Sequence, residues 1–65
     1  MEYAIKNIYT GKYCTIRAGW TKNIMKADLE DYKTVSNEIR DNPKFFKDCK
    51  PVPIKETYTR EEVKE

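Results

Sequence analysis

Residues 2–21 run Glu2-Tyr3-Ala4-Ile5-Lys6-Asn7-Ile8-Tyr9-Thr10-Gly11-Lys12-Tyr13-Cys14-Thr15-Ile16-Arg17-Ala18-Gly19-Trp20-Thr21. The runs Tyr3–Tyr9 and Tyr13–Trp20 are rich in Tyr, Ile and Thr, and Thr10-Gly11 punctuates them, so the stretch reads as a β-hairpin. A two-residue turn at Thr10-Gly11 sets Ile8 opposite Tyr13, Asn7 opposite Cys14, Ile5 opposite Ile16 and Tyr3 opposite Ala18. One face then gathers Tyr3, Ile5, Cys14, Ile16, Ala18 and Trp20; the other gathers Ala4, Lys6, Ile8, Tyr13, Thr15 and Arg17. A three-residue loop would set Ile5 against Arg17 and mix the faces, so the period-two sorting selects the even loop.

Working outward, residues 28–41 read as a helix. Asp28 is a good N-cap, with Asp31 three residues on as an acidic variant of the capping box, and Glu30 and Asp31 suit the positive end of the helix dipole. Leu29, Tyr32, Val35 and Ile39 fall on one stripe, and Pro43 stops the helix. A longer helix from Asn23 would extend the stripe to Met25; the shorter one is preferred, with Ile24 to Ala27 as a turn or short strand. After Pro43, a turn over Lys44–Asp48 tucks Phe45 or Phe46 onto the core. Residues 50–59 read as a strand in which Val52 and Ile54 alternate with Pro51 and Pro53. The prolines remove two N–H groups from one side, which predicts an edge strand. Residues 60–65 read as a charged tail. The expectation is a small two-layer α+β domain over residues 1–59, β-β-α-β, with an antiparallel sheet packed on one helix across Tyr3, Ile5 and Ile16.

Composition narrows the function. The chain has 65 residues and carries 13 basic against 11 acidic side chains, with eight aromatic residues among them. No run approaches the roughly 20 apolar residues of a membrane span, and no apolar stretch near Met1 suggests a secretory signal, so a cytoplasmic protein with no membrane partner is expected. Reduced Cys14 and Cys49 fit that compartment, although a disulfide between them stays open. Charge is segregated: residues 1–26 hold five basic and one acidic side chain, residues 27–49 four and six, and residues 50–65 four and four.

There is no histidine and Ser36 is the only serine, so Ser-His, Cys-His and histidine-metal sites are excluded. Thr10-Gly11-Lys12 lacks the spacing of a phosphate loop and opens no helix. No enzyme activity, cofactor or metal is expected. Two surfaces remain. The first is an acidic one: Asp28, Glu30, Asp31, Glu38 and Asp41 with Tyr32, to which Trp20 adds an anchor; such a surface suits a basic site on a protein. The second is the outer hairpin face, Lys6, Ile8, Lys12, Tyr13 and Arg17, where basic and aromatic residues could meet a nucleic acid.

The pattern Tyr3-Ala4-Ile5-Lys6-Asn7, Thr10-Gly11-Lys12-Tyr13, Gly19-Trp20-Thr21, Ile24 and Ala27-Asp28-Leu29 resembles one found in small bacteriophage accessory proteins, which open with a hairpin, carry a Trp after it, and then an Ile-x-x-Ala segment before a helix. The resemblance spans residues 3–39. It implies a β-β-α-β fold and a phage accessory role, and transfers no functional residues. The leading expectation is a non-enzymatic phage or mobile-element protein that binds and occludes a host protein, as an anti-defence or host-takeover inhibitor. The alternative is a small nucleic-acid-binding module using the hairpin face. A third reading is a subunit stable only as a homo-oligomer.

Overall fold

The computed structural model describes residues 1–17 and 19–64. The elements run β1 (Glu2–Asn7), β2 (Tyr13–Thr15), β3 (Gly19–Thr21), a 3-10 turn η1 (Ile24–Lys26), α1 (Tyr32–Asp41), β4 (Cys49–Glu56) and β5 (Arg60–Glu62). The strands form one antiparallel sheet in the order β3-β2-β1-β4-β5. The fold is α+β, as the alternation and the amphipathic stripe predict.

The first hairpin forms in a different register. Lys6, not Ile8, lies opposite Tyr13. The cause is Asn7: its side-chain oxygen accepts from the Tyr9 and Thr10 amides at 2.9 and 3.0 Å, and its carbonyl accepts from Gly11, which sits at φ +74°. This local capping closes a longer loop than the two-residue turn. The slip is two residues, so the side chains that stay within β1 and β2 keep their expected faces.

The second run, Tyr13–Trp20, is not one strand. Ile16 donates its amide to the Asp28 carboxylate at 2.5 Å instead of continuing a ladder, and Gly19 takes a positive φ of 76°. The chain therefore turns back, and Cys14 pairs with Trp20. Ile16, expected in the core, stands 84% exposed on that turn. Ala18 lies outside the described residues.

The place that β2 leaves beside β1 is taken by residues 28–30. Asp28 donates its amide to the Cys14 carbonyl, and Glu30 exchanges backbone hydrogen bonds with Tyr3 at 2.7 and 2.9 Å. Asp28 is thus tied to β2 rather than capping the helix. The cap is Asp31, whose carboxylate accepts from the Thr34 amide at 2.7 Å. Leu29 falls before α1 and packs on the opposite face of the sheet from Val35.

Two corrections concern the C-terminal third. Arg60–Glu62, read as tail, pair with β4, so β4 is not an edge strand along its whole length. The pairing begins at Ile54, beyond the prolines, and Val63 donates to the Pro53 carbonyl, a contact that needs no N–H from proline. The proline-bearing half of β4 keeps the unpaired side that its sequence requires.

Both faces of the sheet are covered. On one, α1 and the turn after it bury Ile5, Val35 and Phe46, with Tyr3, Cys14, Trp20, Ile39 and Cys49 at the margin. On the other, η1 and its flanks bury Ala4, Tyr13, Ala27, Val52 and Ile54, with Ile24 and Leu29 packed against them. Of the two phenylalanines after Pro43, Phe46 enters the core; Phe45 stays 60% exposed.

Candidate functional site

Three of the acidic residues singled out in the sequence converge. Asp28 and Glu30 are fixed by the backbone bonds that insert their segment beside β1 and β2, and Glu38 projects from α1 one turn beyond Val35. Together with Cys14 and Ile16 they line a cavity of about 70 Å³ whose apolar lining includes Ile5 and Val35. Partial burial and repulsion from Glu30 and Asp28 push the Glu38 carboxyl above the usual range. Burial, with the Asp28 and Glu38 charges, likewise pushes up the Cys14 thiol. A thiol so disposed stays protonated and is a poor nucleophile. Among the described residues, no Lys or Arg forms an ion pair with any of the three carboxylates.

The other acidic-surface residues lie apart from this notch. Asp31 is engaged as the α1 cap, and the Thr34 amide holds its carboxyl below the usual range. Asp41 is exposed beside Arg40 at 3.3 Å. Tyr32 is 55% exposed and meets Tyr3 edge-on, with ring centroids 5.1 Å apart. Trp20, across from Cys14, stacks on Phe45 at 5.9 Å and 25° and meets Phe46 edge-on at 6.3 Å.

The outer hairpin face is not an open surface. Tyr13 is 7% exposed and donates its hydroxyl to Glu62; burial and that carboxylate push its pKa to about 12. Lys6 pairs with the same Glu62 at 2.6 Å. Burial alone would raise Glu62, but hydrogen bonds from Lys6 and Tyr13 and the Lys6 and Lys50 charges prevail and hold it below the usual range. Thr15 is buried. Ile8 lies exposed after β1 and Lys12 just before β2, while Arg17 belongs to the β2–β3 turn, beside a cleft shared with Lys26 and Asp28. The five residues proposed for nucleic acid therefore form no common face. Three causes act: β5 and η1 cover Lys6 and Tyr13, the loop capped by Asn7 takes Ile8 and Lys12 off the strands, and β2 ends before Arg17.

Cys14 and Cys49 are free and lie on β2 and β4, with β1 between them. Two strand spacings, about 9–10 Å, together with a two-residue offset along β1 separate their Cα atoms, too far for a disulfide. Sequence reading missed Phe45 as an exposed partner of Trp20, and Arg60 and Glu62 as tethers. The doubled Phe45-Phe46 pair was visible, but which ring would face out depended on the turn geometry.

Among the described residues no helix is long and apolar enough to cross a membrane, and no group of three potential ligands could hold a metal ion. Comparison with protein-family models, curated proteins and solved structures finds no match.

Proposed function

We propose that this chain is a non-enzymatic binding module whose notch of Asp28, Glu30 and Glu38 receives a lysine or arginine side chain from another protein. The observation that carries this reading is the gathering of three carboxylates without ion-pair partners around a small cavity with apolar lining. Such a site suits the dual character of a long basic side chain: its methylene stem meets Ile5 and Val35 while its charged head meets the carboxylates. An arriving cation also relieves the mutual repulsion that raises Glu38.

The resemblance to phage accessory proteins directs this reading to a host protein in the bacterial cytoplasm. The module then acts by occluding a basic functional site, as an inhibitor of defence or of host regulation. The test is capture from nuclease-treated bacterial lysate with the tagged protein, read by mass spectrometry. A discrete protein retained by the wild type and lost by the Glu30→Lys/Glu38→Lys variant supports the reading. Retention by that variant overturns the assignment of the notch.

A further inference from the structure

At the end of the sheet away from the acidic notch, β1 and β3 finish while β2 and β4 begin. Three connections meet there: residues 8–12, the residues after Thr21, and residues 42–48. The first and third are joined directly, since Ile8 donates its amide to the Asp48 carbonyl at 2.9 Å and the Asn7 side chain reaches the Lys47 carbonyl at 3.5 Å. The third connection also carries Phe45 onto Trp20 of β3. The topology thus draws Lys12, Lys22, Lys44 and Lys47, distant in sequence, to one end of the molecule, around a stacked aromatic pair. The only acid in these connections is Asp48. Among the described residues none of the four lysines is in an ion pair.

We infer that this end binds single-stranded nucleic acid, with a base laid against the exposed Phe45 of the Trp20–Phe45 stack and the four lysines neutralising neighbouring phosphates. The two rings lie within 25° of parallel, so a third planar ring continues the arrangement they already make. Phe45 is 60% exposed, which leaves area for that ring. A single strand is the occupant because an unpaired base can leave its own stack and lie on an aromatic side chain. Neither a helix nor a long β-ribbon is presented at this end, so nothing there would enter a duplex groove. The surface is distinct from the acidic notch and does not depend on it.

Trp20 is the only tryptophan, so its fluorescence reports directly on the site. The experiment titrates the full chain with a fifteen-residue oligothymidylate. Quenching is expected, with an affinity that falls about 50-fold between 50 and 200 mM salt if four phosphates are neutralised. Phe45→Ala is expected to weaken binding about tenfold, the loss of one base–aromatic stack. Lys44→Glu/Lys47→Glu is expected to abolish binding at 200 mM salt, and Glu30→Lys/Glu38→Lys to leave quenching intact. The double lysine variant lies on exposed positions and decides the matter if Phe45→Ala disturbs folding. No binding at 50 mM salt overturns the inference. So does binding insensitive to both Phe45→Ala and Lys44→Glu/Lys47→Glu, preference for a duplex of equal length, or equal competition by inorganic polyphosphate.

Discussion

On one face of the sheet the cover is a ten-residue helix that meets the strands with Val35 and Ile39; on the other it is the three-residue turn η1 and its flanks, which meet them with Ile24, Ala27 and Leu29. The helix is amphipathic and capped by its own Asp31, so its contacts with the sheet are mainly apolar. The 3-10 turn is too short to hold itself in place. It is tethered instead by Arg60, whose Nη1 donates to the carbonyls of Ile24, Met25 and Ala27 at 3.3, 3.2 and 2.8 Å while its Nε donates to Glu56 at 2.5 Å. Beside it Lys6, Tyr13 and Glu62 form a second polar cluster. The η1 face thus engages Lys6, Glu56, Arg60 and Glu62 internally. On the helix face Asp28, Glu30 and Glu38 have no ion-pair partner among the described residues.

The largest expected effect lies in the core beneath η1. Ile54→Ala, at a side chain 3% exposed beneath η1, is expected to cost about 2–5 kcal/mol in a denaturant titration. A cost below about 1 kcal/mol, against a large cost for Val35→Ala, would mean that η1 is no real cover. Next comes the tether. Arg60→Ala is expected to cost about 2–3 kcal/mol, because charged hydrogen bonds are lost and a helical turn is left with orphan carbonyls. Arg60→Lys should recover only part of this, since an ammonium lacks the planar fork.

Alkaline titration sharpens the contrast. Tyr13 ionises at the ordinary 10 when unfolded but at about 12 when folded, so the unfolded state loses its proton first. Stability therefore falls as pH rises from 10 to 12, by on the order of 2 kcal/mol from this group. Tyr13→Phe should remove that segment of the pH–stability curve. Glu62 acts at the acid end: its folded pKa is held low, so its contribution is complete above the ordinary carboxylate range and lost as pH falls through the folded value. The smallest effect belongs to the helix face. Glu38 is raised in the fold, so its ionised form opposes folding, and stability from this group rises as pH falls through its folded pKa toward the ordinary carboxylate value. Glu38→Gln should leave the protein a few tenths of a kcal/mol more stable at neutral pH, the scale of a partly solvated charge interaction.

Much of the helix face was legible in the sequence. Tyr3, Ile5 and Cys14 could be sorted by period two, Val35 and Ile39 by period 3.6, and the stop by Pro43. The two-residue register slip did no harm to that sorting, because an even shift preserves faces. On the η1 face a turn over Ile24 to Ala27 was legible, and η1 forms there, but its place over the sheet was not. Ile24, Ala27 and Leu29 follow no single period, and Arg60 acts across 33 residues of sequence on Ala27, a contact that no local pattern encodes. Of the acidic residues, Asp28, Glu30 and Glu38 were named, but their convergence depends on a segment inserted beside β1 where β2 turns away. Neither helix stripe nor strand alternation announces that insertion.

The most direct test of the proposed function is site-specific photo-crosslinking in bacterial cells, with a photoreactive amino acid placed at Thr34, one turn before Glu38 on the helix face, or at Lys26 on the η1 face. A discrete protein adduct is expected from position 34 and none from position 26. An adduct from position 26 alone, or none from position 34, would contradict the proposal.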